Sequence, residues 1–159
     1  MSEESRDEDF NRLIKILFHG KAWQDRAEAA RNLGLLEDGR AVNLLCKALR
    51  KEKDHIVVNR IIEALGRIGH PKATLRIIEK LREEQNKNRT DKYRIAHIIE
   101  SLIKLKDKRA LAYIGCYLNH PDEAIRDLTR EAFDVIEPDW REIIKKAKQE
   151  KTLEEIFKA

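Results

Sequence analysis

Residues 29–45 read AARNLGLLEDGRAVNLL, and thirty-two positions further on residues 61–77 read IIEALGRIGHPKATLRI. A chain that repeats at this interval is confined to stacked copies of one supersecondary unit, because a single copy cannot cover its own apolar face. Residues 98–114 (IIESLIKLKDKRALAYI) and 129–145 (TREAFDVIEPDWREIIK) align beneath the first two, giving spacings of 32, 37 and 31 residues. Leu33, Leu65, Leu102 and Phe133 share one position, and Leu36, Ile68, Leu105 and Ile136 share another three residues on, which is a helical interval. The small residues Asn32, Ala64, Ser101 and Ala132 precede the first row, where a bulky side chain would hold two helices apart.

In the first three units a short polar turn (LEDGRA, IGHPKA, LKDKRA) leads into a second helix that opens with Ala41, Ala73 or Ala110. Gly39 can take unusual backbone angles there, and Pro71 suits a first helical position. Each unit therefore reads as a helical hairpin, and the predicted fold is an all-α solenoid of about four hairpins with capping helices. Phe10, Leu13, Ile14, Leu17 and Phe18 fall on one side of a helix suited to close the N-terminal end. Trp140, Ile143, Ile144 and Ala147, then Leu153, Ile156 and Phe157, can close the other. Residues 10–159 form a single domain in this reading. Residues 1–9 are an acidic tail that need not be ordered, and QNKNRTD (85–91) absorbs the longer spacing.

Composition agrees with a helical stack: of 159 residues 39% are charged, and only six are Gly and three Pro. Abundant Lys and Glu favour a thermophilic origin. The opening MSEESRDED is acidic and polar, unlike a secretory signal, and no apolar run reaches the ~20 residues of a membrane span, so a cytoplasmic protein is expected. Cys46 and Cys116 lie in apolar stretches and read as two buried, reduced thiols.

LGLLEDGRAVNLL and ALGRIGHPKATLRI resemble the HEAT-like repeat also found in phycobilisome lyases. In that repeat an apolar helix ends in Leu-Gly and a second opens with a cation and Ala. Gly34, Leu36, Asp38, Arg40 and Ala41 fit in unit one, and Gly66, Ile68, Gly69, Lys72 and Ala73 in unit two. Unit three keeps Leu105, Asp107, Arg109 and Ala110 with Ile103 in place of the Gly; unit four has Pro138 in the turn and Trp140 in the cation's place. The resemblance implies that Asp38, Arg40, Lys72, Asp107 and Arg109 form a structural ladder between hairpins.

No catalytic constellation is apparent, and no enzyme activity, cofactor, metal or small-molecule substrate is predicted. One enzyme with such repeats, deoxyhypusine hydroxylase, holds a di-iron centre with His-Glu pairs. Here none of His19, His55, His70, His97 or His120 is followed by Glu, and none has a second His at metal-ligand helical spacing. There is no phosphate-cradling Gly-rich loop and no nucleophile elbow. His97 in RIAHII reads as a packing residue.

The functional signal is charge. Residues 1–39 carry six Lys/Arg against nine Asp/Glu, residues 40–109 nineteen against nine, and residues 110–159 eight against eleven. A basic middle concentrates anionic partners, and a solenoid offers a row of second helices to bind them. Alignment puts Leu44, Arg76 and Tyr113 in one row and Ala48, Lys80 and Tyr117 in the next, with Lys47, Arg50 and Arg82 nearby. The seven residues Lys47, Arg50, Arg76, Lys80, Arg82, Tyr113 and Tyr117 are the candidate contacts for an acidic or amphipathic segment of a partner protein. Nucleic acid, with phosphates on the cations and bases on the tyrosines, is the alternative. Many of these cations equally read as a solvated face of mixed sign, and the two tyrosines as core residues with a hydroxyl at the edge.

Overall fold

The computed structural model describes residues 2–158, with side chains for residues 2–149. Helix α1 (Glu3–His19) is followed by α2 (Trp23–Leu36) with α3 (Ala41–Lys51), α4 (His55–Ile68) with α5 (Thr74–Gln85), α6 (Lys92–Leu105) with α7 (Leu111–Ile114), and α8 (Glu123–Ile136) with α9 (Trp140–Lys158). The first helices form one row, α2 on α4, α4 on α6 and α6 on α8, while α1 lies against α2 and α3. No strand occurs among the described residues. The result is the all-α solenoid that the repeat predicts.

The aligned rows are the core. Leu33, Leu65 and Leu102 are fully buried and Phe133 nearly so, as are Ala41, Ala73 and Ala110 at the openings of the second-helix segments. The small-residue row works by letting backbones touch. A Cβ on Gly34 would lie 2.9 Å from the Ala64 Cα, and one on Gly66 2.8 Å from the Ser101 Cβ. Gly34 and Gly66 thus belong to helix crossings, not to turns, and the buried Ser101 hydroxyl donates to the Ile62 carbonyl at 3.0 Å across the second crossing. At the third crossing Ile103 fills the glycine position and packs half-buried against the core.

Gly39 does not supply the unusual angles expected of it. The left-handed residue sits two positions earlier, directly after the helix, at Glu37 (φ 52°), Gly69 (φ 78°) and Lys106 (φ 52°) in successive units. There its amide N–H returns to the last helical turn and closes it. The next turn residue then caps the start of the second-helix segment: Asp38 Oδ1 accepts from the Arg40 amide, His70 Nδ1 from Lys72, and Asp107 Oδ1 from Arg109.

First helices are started by Asp54, Asp91 and Asp122, each accepting two backbone N–H bonds. Unit one has Ala22 instead, with no side-chain cap. Its chain entry is held by Arg26, which donates to the Gly20 and Lys21 carbonyls at 2.9 and 3.1 Å and grips Glu52 through two bonds at 2.9 and 3.2 Å. Arg126 repeats the carbonyl grip on His120 and Pro121 one hundred residues later. The long connection after α5 is held by buried Glu84, which accepts from the Asp91 amide at 2.6 Å and pairs with Lys87 at 2.8 Å.

Four expectations need correction. From Glu3 onward the acidic stretch read as a tail is the opening of α1: Ser2 caps it, Glu3 and Glu4 sit at the positive end of the helix dipole, and Asp7 pairs with Arg40 at 2.9 Å. The second helix of unit three is only four residues long and passes into a tighter 3₁₀ winding at Gly115–Asn119, where glycine and the approaching His120-Pro121 disfavour a longer α-helix. Cys116 lies in that winding and is exposed, whereas Cys46 is buried, and burial pushes its thiol pKa up; both are free. At the C-terminal end Trp140 packs on Phe133 with ring centroids 5.1 Å apart, but Ile143 and Ala147 are exposed, so among the described side chains only the start of α9 covers that end. Leu153, Ile156 and Phe157 lie outside the described side chains.

Candidate partner-binding face

Helices α3 and α5 and the α7 segment bring five of the seven candidate residues, Lys47, Arg50, Arg76, Arg82 and Tyr113, onto one flank. Their apolar sides, with Leu45, Leu49, Ile77, Leu81 and Ile114, are buried, which leaves the opposite sides to carry charge. Lys47 and Arg50 are exposed on α3, Arg76 is half-exposed on α5, and Arg82 is exposed one and a half turns later. The acidic residue that organises them, Glu79, was not singled out from the sequence. Its Oε1 lies 2.6 Å from Arg76 Nη1 in its own helix and 3.4 Å from Arg50 Nη2 across the hairpin boundary. A cross-hairpin partner beyond the Arg76 row is invisible until the stacking register is known.

Arg82 lies with its guanidinium 4.8 Å from the centre of the half-buried Tyr113 ring. The row Ala48, Lys80, Tyr117 faces differently. Ala48 and Tyr117 are buried, and the Lys80 side chain is only 11% exposed, with its ammonium 3.0 Å from Glu83. The Tyr117 hydroxyl accepts from Gln85 Nε2 at 2.9 Å, and burial raises its pKa. Tyr117 is therefore a core residue with a satisfied hydroxyl, and Lys80 offers only its tip. The flank open to a partner carries Lys47, Arg50, Arg76, Arg82 and Tyr113, with Glu79 and Glu83 among them.

The turn charges serve the stack. Arg40 binds Asp38 at 2.6 Å within its turn and Asp7 of α1 beyond it, and Arg109 binds Asp107 at 2.6 Å and the Pro71 carbonyl of the preceding unit at 3.3 Å. Lys72 makes no ion pair among the described residues, so the ladder has its rungs at Arg40 and Arg109. Lys108 extends it by pairing with Glu137 at 2.8 Å. The Arg109 guanidinium holds the Asp107 carboxyl down at about 2. A carboxyl depressed in the folded state stabilises the fold above its unfolded value and loses that stabilisation as pH falls through the folded value. Asp107→Asn is expected to remove about 1 kcal/mol of the stability lost between roughly pH 4.5 and pH 2, a figure discounted because Arg109 is half-exposed. Urea unfolding of both proteins across that window measures it.

His97 packs beside Glu63, its Nδ1 3.0 Å from Oε1, and Glu63 is also held by Arg60 at 3.0 Å. Among the described residues no three of His, Cys, Asp and Glu gather as a metal ion requires, and no helix is long and apolar enough to cross a membrane. The family model for HEAT repeats matches residues 10–91, from α1 through α5 to the Asp that caps α6. A search of curated proteins finds no match.

Proposed function

The chain belongs to the HEAT-repeat family, whose members generally mediate protein–protein interaction, and on that premise we propose a non-catalytic module that binds an acidic or amphipathic partner segment along its second-helix flank. The observation that carries the proposal is the line of exposed and half-exposed cations crossing hairpin boundaries from Lys47 and Arg50 through Arg76 to Arg82 on Tyr113. Glu79 pairs with both Arg50 and Arg76, so a partner carboxylate meets guanidinium groups already drawn together and can take over one of their bonds. Arg82 on the Tyr113 ring adds an aromatic and cationic anchor of the kind that concentrates binding energy.

The expected result is a salt-sensitive association with a short peptide of Asp, Glu and Leu, seen as amide shifts clustered on α3, α5 and α7 of the isotope-labelled protein. Arg50→Glu with Arg76→Glu should weaken it about tenfold. Unchanged binding in the double variant excludes this flank. Nucleic acid is the competing partner; an oligothymidylate that binds with a steep salt dependence while the peptide does not would reverse the assignment.

A further inference from the structure

The opposite flank, formed by the first helices, carries a second concentration of charge that the stacking does not use. A depression of about 240 Å³ lies over the seam where α2 and α4 meet at Gly34 and Ala64, with α6 on its far side. Arg31, Arg60, Arg67 and Lys104 stand around it, together with Glu63 and Glu100. Glu63 is already engaged by Arg60. Arg31, Arg67 and Lys104 form no ion pair among the described residues, although they come from three consecutive first helices and converge on one hollow. Leu35, 48% exposed, forms part of the lining.

We propose that this first-helix hollow is a separate docking site for an acidic, apolar-flanked segment of a partner protein. The chemistry comes from the lining. Three unpaired cations leave the hollow positive, and a carboxylate seated among them has reduced access to solvent, which strengthens each contact. Leu35 offers an apolar contact to a neighbouring Leu or Val of the same segment. Glu100 and Glu63 interrupt the positive surface, which opposes the evenly charged backbone of a nucleic acid but leaves room for carboxylates spaced along a peptide.

The site is distinct from the second-helix flank, so one titration of the labelled full chain with the Asp, Glu and Leu peptide separates the two. Amides of Arg31, Leu35, Arg67 and Lys104 should shift with their own saturation curve. Arg67→Glu with Lys104→Glu should weaken that curve about tenfold while leaving the shifts on α3 and α5 within about twofold. Arg50→Glu with Arg76→Glu should do the reverse. Shifts confined to α3, α5 and α7 overturn the first-helix site and leave the proposed function standing; shifts confined to the hollow do the opposite. An oligothymidylate that saturates the hollow where the peptide does not also overturns the proposal. Both double variants change exposed or half-exposed side chains, and unchanged amide dispersion elsewhere checks that they fold.

Discussion

Gly66→Val should destabilise the protein by about 3 kcal/mol, at the upper end of what overpacking a close contact costs. The new Cβ would sit 2.8 Å from the Cβ and Oγ of Ser101 and 2.9 Å from its Cα. Because the Cα cannot turn aside as a side-chain tip can, relief requires α6 to back away from α4. That movement stretches the bond from the Ser101 hydroxyl to the Ile62 carbonyl and opens the contact between the buried Leu65 and Leu102 layers. Gly39→Ala is the matched control. A Cβ there meets nothing within 4 Å and the backbone is not left-handed, so the change should stabilise by up to about 1 kcal/mol through the unfolded chain. Urea midpoints compare the two, and a Gly66→Val midpoint close to that of the parent would show that the seam is not a close backbone contact.

The second large effect is expected at Arg26. Arg26→Met keeps the aliphatic stem and removes a fork that serves two backbone carbonyls and a carboxylate, with an expected loss of about 3 kcal/mol. The cost arises from what is left behind. The Glu52 side chain is only 10% exposed and would retain just the Lys53 and Asp54 amides as donors. Glu52→Met in the same background should recover part of the loss, so a double-mutant cycle should give a coupling above about 1 kcal/mol. Additive losses would mean that the pair contributes little beyond its separate backbone bonds. Arg126, which grips carbonyls but has no carboxylate partner among the described residues, should cost less when changed in the same way.

The repeat made the stack legible because burial repeats with it: Leu33, Leu65, Leu102 and Phe133 occupy one layer, and the small residues before them mark the crossings. The alignment erred where local winding departs from the period. It set Tyr117 beside Lys80 on a presumed regular helix, but the chain tightens at Gly115 and Tyr117 points into the core. It also gave Gly34 and Gly66 no part in the crossings, since a Leu-Gly pair near a helix end does not reveal whether the missing Cβ serves a bend or a neighbour. The candidate face was readable as positive charge but not as a set of pairs. Glu79 becomes a bridge only when α3 and α5 are laid side by side, and the Arg31, Arg67 and Lys104 hollow appears only when three first helices are superposed. The Asp caps at 54, 91 and 122 could have been found, as each stands just before a run of apolar helix.

The change from glycine at the first two crossings to Ile103 at the third gives the stack a direction. Units one to three are joined backbone to backbone, whereas unit four is held through side chains and its second helix leaves Ile143 in water. In a linear array each layer is protected by its neighbours, so thermal opening should begin at α8 and α9 and run back towards α4. Amide protons would then exchange with solvent in that order, as a zip opened from one end.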